Sequence, residues 1–179
     1  MKIGFCGTMS VGKTTLVKAL KDEPEFSKYC FRTERSKHLS SLGIPLNTNS
    51  TLKGQLVFAS ERAVELMQEK IITDRTVIDV MAFCSLSKSM EAHEKHYLNS
   101  TLFYLIKEYD ILFYVSPDGV KIEDNGVRET NAEYRDAVDN KIKSIVEMYK
   151  HIPGKVVTIS GTVEERIIQV KESVNMYNI

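Results

Sequence analysis

The stretch Gly7-Thr8-Met9-Ser10-Val11-Gly12-Lys13-Thr14 constrains this chain more than any other. It satisfies G-x-x-x-x-G-K-[ST], and it lies between a short apolar run, Lys2 to Gly7, and a run with helical spacing. The pattern demands a particular local fold. A strand must end at the first glycine, and a bare backbone must turn so that successive N–H groups converge. A helix must then open at the second glycine. Such a concavity binds anions, because the helix start adds free N–H donors and a partial positive charge. Lys13 is placed to reach the β- and γ-phosphates of a nucleotide, and the Thr14 hydroxyl to ligate Mg²⁺. The cradle residues on this reading are Gly7, Ser10, Val11, Gly12, Lys13, Thr14 and Thr15.

The rest of the chain supplies a scaffold for such a loop. Its 179 residues suffice for one domain with a buried core. Short apolar runs alternate with helical patterns. Strands are expected in Lys2–Gly7, Lys28–Glu34, the run through Lys70 into Asp74, Asp110–Pro117 and Gly154–Gly161. Helices are expected over residues 12–21, 36–42, 51–70, 94–109, 131–151 and 162–177. In the third of these, Leu52, Leu56, Ala59, Ala63, Leu66 and Met67 form the expected inward stripe, and Leu98, Leu102, Leu105 and Tyr109 form that of the fourth. This order predicts an α/β fold of three layers. A five-stranded, mostly parallel sheet carries helices on both faces, in one domain over residues 1–179.

Composition narrows the chemistry. Lys plus Arg count 24 and Asp plus Glu count 24, so no general basic surface favours nucleic acid. The three cysteines, Cys6, Cys30 and Cys84, show no paired spacing and read as small core residues of a reducing, cytoplasmic setting. No apolar run is long enough to span a bilayer, and no leader pattern precedes the first strand. A guanine-reading N-K-x-D is missing: Asn140-Lys141-Ile142-Lys143 lacks the aspartate and falls in a helical pattern. That leans the donor toward ATP rather than GTP.

Two further segments point to transfer of the phosphoryl group. Asp74 ends a strand and Arg75 follows it. An aspartate there can take a proton from an acceptor hydroxyl or hold water on Mg²⁺, and a guanidinium can grip a phosphate. The polar stretch over residues 117–135 reads as a lid carrying Arg128 and Arg135, which can neutralise charge on the migrating group. Arg135 could instead pair with Asp139 one turn on. His93 and His96 lack the metalloprotease H-E-x-x-H order and read as a solvated helix face. Phe58 and Phe83 could stack on a base but read first as core, and the polar loop Asn47 to Gln55 could cover an acceptor.

"GTMSVGKTT", "DRTVIDVMAF", "DNGVRETNAEYRDAVD" and "ISGTVEERIIQV" together resemble a family of small P-loop ATPase/kinase domains. That family is related to the ribosylnicotinamide kinase domain of bacterial NAD-biosynthesis regulators, and similar domains occur among phage nucleotide-metabolism proteins. "DRTVIDVMAF" is also similar to the D-R-Y-x-x-S-x-x-A-Y segment of thymidylate kinases, with Thr76 in place of the tyrosine and Asp79 in place of the serine. The resemblance implies a P-loop NTPase fold with a lid, ATP and Mg²⁺ as cofactors, and a nucleoside or nucleoside monophosphate as acceptor. It implies Asp74 as base or Mg²⁺-water ligand, Arg75 on the acceptor's phosphate, and Arg128 and Arg135 on the donor phosphates. Glu34 and Arg35 would contact the acceptor, and Gly161 and Thr162 would lie against adenine. Two rival readings stay open: a kinase acting on a nucleotide within DNA or RNA, and a regulatory module that hydrolyses ATP slowly.

Overall fold

The computed structural model describes residues 1–33, 35–118 and 132–177. Five strands, β1 (Lys2–Cys6), β2 (Cys30–Arg32), β3 (Ile71–Asp74), β4 (Ile111–Val115) and β5 (Lys155–Ile159), form one sheet. Their order is β2-β3-β1-β4-β5, and every pairing is parallel. The helices are α1 (Lys13–Leu20), α2 (Ser36–Ser41), α3 (Leu52–Glu65), α4 (Val77–Leu86), α5 (Ala92–Ile106), α6 (Ala132–Tyr149) and α7 (Val163–Tyr177). The expected three-layer α/β architecture is what the chain adopts.

Alternation along the central strands builds two cores. On β1 and β4, Ile3, Phe5, Ile111, Phe113 and Val115 pack with Leu16, Val17, Val170 and Val174 of α1 and α7. Cys6, Leu112 and Tyr114 point the other way, into a cluster supplied by α4, α5 and α6. Both faces being covered, β4 reads as an unbroken apolar run, Ile-Leu-Phe-Tyr-Val. Phe5 and Phe113, paired in register, stack with centroids 5.1 Å apart.

Some expectations need correction. The strand ends at Asp74 as expected, but the helix that follows it, α4, was not among the expected ones: Thr76 opens it with a capping box, its hydroxyl accepting from the Ile78 N–H and Asp79 accepting from the Thr76 N–H at 2.8 Å. Helix α3 ends at Glu65 rather than Lys70, and the expected apolar stripe is its buried face only in part: Ala59 and Leu66 are buried and Leu52 packs against the core. Leu56 is exposed and Met67 is 81% exposed, whereas Gln55, Arg62 and Glu65 are buried. An Arg62–Glu65 ion pair of 2.7 Å accounts for the buried charges, since paired charges can enter where a hydrophobic pattern does not place them. The segment Asn47–Gln55 is a short 3₁₀ turn followed by the start of α3. It is pinned to the end of α4 by Ser87 Oγ donating to Ser50 O and by Lys88 N donating to Thr48 O. Cys6 and Cys84 are buried, but Cys30, on the edge strand, is exposed and is no core residue.

Candidate functional site

Because the strands are parallel, β1, β3 and β4 deliver their following loops to one edge of the sheet. Phe5 lies opposite Asp74 and Cys6 opposite Tyr114, so the loops that begin at Gly7, Arg75 and Ser116 emerge side by side. The loop glycines are required by backbone and space together. Gly7 has φ of 151°, and a Cβ there would sit 2.8 Å from the Val115 carbonyl. Gly12 has φ of 83°, and a Cβ there would lie 3.2 Å from a guanidinium nitrogen of Arg166. Ser10 also takes a positive φ, 58°.

Lys13 is buried, and its ammonium donates to the carbonyls of Gly7 at 2.6 Å and Thr8 at 2.7 Å. Burial pushes its pKa down to about 8, and nearby Arg75 adds to the fall, while Asp79 and Asp74 oppose it. The Thr14 hydroxyl donates to Asp74 Oδ2, joining positions 60 residues apart. A hydroxyl and a carboxylate side by side are hard oxygen donors of the kind Mg²⁺ takes, so these two residues fit such an ion. Among the described residues no cluster of three or more His, Cys, Asp or Glu could hold a metal.

Arg75 adopts φ of 80°, in the left-handed region. Its guanidinium lies 3.7 Å from Asp79 Oδ1 and 5.1 Å from the centre of the Phe83 ring. Asp79 is fully buried, and the same Oδ1 accepts the Gly7 N–H at 3.3 Å. One carboxylate, that of Asp79, thus ties Arg75 to the first glycine of the loop, which lies 72 residues before Asp79. The T-x-x-D spacing at Thr76–Asp79 signals the helix start; the link to Gly7 is written in no local pattern. Phe83 and Phe58 are partly buried against the core.

Helix α6 closes another side. Thr8 Oγ1 donates to the Arg135 carbonyl at 2.9 Å, which sets the first turn of α6 against the loop. Asp139 does not pair with Arg135, which was the alternative reading of that arginine. It accepts from Tyr114 Oη at 2.6 Å and pairs with Lys143 at 2.8 Å. Arg35 is drawn to α3, where it pairs with Glu61 at 3.2 Å and lines a groove of about 630 Å³ with Arg32, Lys53, Leu56 and Val64. Glu34 and Arg128, and most of the expected lid, lie outside the described residues. Gly161 has φ of 96°, and the Thr162 N–H donates to Glu165 at 2.7 Å, so this pair starts α7. His93 and His96 are exposed. Burial raises the thiol pKa of Cys6 strongly and pushes that of Cys84 up to about 11, which leaves neither as a nucleophile. No described helix is long and apolar enough to cross a membrane.

Arg166 was not among the expected site residues, yet it lies directly under the loop: its Nη1 donates to Val11 O at 2.5 Å. The signal was an arginine at the head of a buried stripe, four and eight residues before Val170 and Val174.

A family model described as an AAA domain matches residues 2–166. No curated protein matches the sequence. Among solved structures, deoxyadenosine kinase from M. mycoides with bound dCTP superposes with a TM-score of 0.67 at 16% identity, over 98% of this chain and 100% of that one. Thymidylate kinase from Ehrlichia chaffeensis gives 0.65 at 16% identity, over 97% and 98%. The NadR protein in complex with NR gives 0.71 at 16% identity, over 96% of this chain but 50% of that one. At this identity the likeness is one of fold.

Proposed function

The chain belongs to this AAA-domain family, and on that premise we propose that it is an ATP- and Mg²⁺-dependent phosphotransferase. Its acceptor on this reading is a nucleoside monophosphate or a nucleoside. The observation that carries the proposal is the meeting of Thr14 with Asp74 beside Arg75 at the end of the sheet. Phosphoryl transfer needs a donor cradle, a metal position and an acceptor clamp within one crevice. The solved structures of like fold include proteins named as deoxyadenosine and thymidylate kinases, and this supports the choice of acceptor class.

Mg²⁺ held through Thr14 and Asp74 would neutralise developing charge on the phosphates. Asp74's contact with Thr14 favours a place beside the metal over that of proton acceptor. Lys13 would exchange the carbonyls of Gly7 and Thr8 for phosphate oxygens. Arg75, held by Asp79, would orient the acceptor's phosphate with its planar fork. Gly161 and Thr162 would border the adenine, and Arg128 and Arg135 would approach the donor phosphates. Catalysis would rest on positioning and on charge neutralisation.

The test is an acceptor screen with radiolabelled ATP and Mg²⁺ against nucleosides, nucleoside monophosphates, nicotinamide riboside and oligonucleotides. Label on one small acceptor is the expected result. Asp74→Asn should then cut the rate by orders of magnitude and leave ATP binding through the loop largely intact. Label only on oligonucleotides, or only as free phosphate, would replace this reading with one of its rivals.

A further inference from the structure

Helix α7 sends a guanidinium beneath the glycine-rich loop. Arg166 is 3% exposed. Its Nη1 donates to the Val11 carbonyl at 2.5 Å and its Nη2 to the Ser116 carbonyl at 3.5 Å. Its Nε is buried without a hydrogen-bond partner, and no carboxylate among the described residues pairs with it. A buried cation facing only carbonyl oxygens is costly, because neutral dipoles replace water poorly.

Geometry gives this charge a task. The chain contains no cis peptide among its described residues. In a trans peptide the C=O and N–H point in opposite directions. Holding the Val11 oxygen downward therefore aims the Gly12 N–H upward, away from Arg166 and into the concavity. Gly12 is the residue that opens α1, so this N–H belongs to the helix start where anions bind. The second bond, to Ser116, ties the same guanidinium to the residue that follows β4. Any side chain at Gly12 would press on it at 3.2 Å.

We propose that Arg166 is a positioning residue for the donor phosphates: it orients the Val11–Gly12 peptide and places behind it a buried positive charge that the nucleotide's polyphosphate neutralises. The proposal rests on the reading of this loop as a nucleotide site. Arg166 touches no reacting atom; it acts through the backbone of the loop and through its field.

The experiment measures MgATP binding by titration calorimetry, and steady-state kinetics with the identified acceptor, for wild type, Arg166→Met and Arg166→Lys. Circular dichroism checks folding. Arg166→Met should weaken MgATP binding at least tenfold and raise the KM for ATP. The KM for the acceptor should stay within twofold, which a general loosening of the fold would not spare. Arg166→Lys keeps the charge but not the fork, and should recover part of the affinity. A folded Arg166→Met protein that binds MgATP within twofold of wild type overturns the proposal. If Arg166→Met does not fold, wild-type protein labelled with ¹⁵N-arginine is titrated with MgADP. The Arg166 Nε–Hε signal, assigned from Arg166→Lys, should shift with the binding curve, and a signal that stays still while MgADP binds overturns the proposal. A wild type that binds no nucleotide refutes the nucleotide reading itself, and this inference with it.

Discussion

A buried lysine that waits for an anion should leave a signature in stability against pH. Lys13 is 5% exposed, and its pKa falls from 10.5 to about 8, chiefly through burial and then through Arg75. In the unfolded chain the same lysine titrates at its ordinary value. Between about pH 8 and 10.5 the unfolded state therefore holds a proton that the folded state has released. Stability must rise with pH across that window, the reverse of a lysine that gains a partner on folding. From these two values, linkage gives about 2 kcal/mol between pH 8 and pH 10. Cys6 and Cys84, whose thiols are raised by burial, and the buried tyrosines work in the opposite direction. The quantity to measure is therefore the difference between wild type and Lys13→Met. Urea denaturation under reducing conditions at pH 7, 8, 9 and 10 supplies it. Wild type should gain on the variant by about 2 kcal/mol from pH 8 to 10, with little change from pH 7 to 8. A flat difference, or one of opposite sign, would refute the claim that this ammonium is held against its own solvation.

Two other substitutions probe the same region. Asp79→Asn removes the buried carboxylate that faces Arg75 and supports the charge on Lys13; it should cost about 1–3 kcal/mol and move the Lys13 titration further below pH 8, both read in the same denaturation series. Gly4→Ala places a methyl 2.6 Å from Thr76 Cγ2 and 2.7 Å from the Tyr109 ring; this overpacking should cost about 1–3 kcal/mol by urea denaturation, and an unchanged midpoint would mean that β1 and Tyr109 separate at little cost.

The loop at Gly7–Thr14 was legible because its requirements are local. Positive φ angles at Gly7 and Gly12, a strand before and a helix after are all set by neighbours in the chain. Parallel strands alternating with helices followed from the same kind of pattern. The limits of that reasoning show on α3, where an Arg62–Glu65 pair goes inside and Leu56 and Met67 stay out. Periodicity assumes that charge stays in water, and a paired charge need not. The contacts of Asp79, Tyr114, Asp139 and Arg166 were silent for a related reason. Each takes its meaning from a partner far along the chain: Asp79 from Gly7, Tyr114 from Asp139, Arg166 from Val11, 155 residues distant. Backbone conformation is governed by adjacent atoms, so it can be read from adjacent residues. The electrostatics of a buried site depend on which distant groups share its low-dielectric surroundings, and folding alone brings them together.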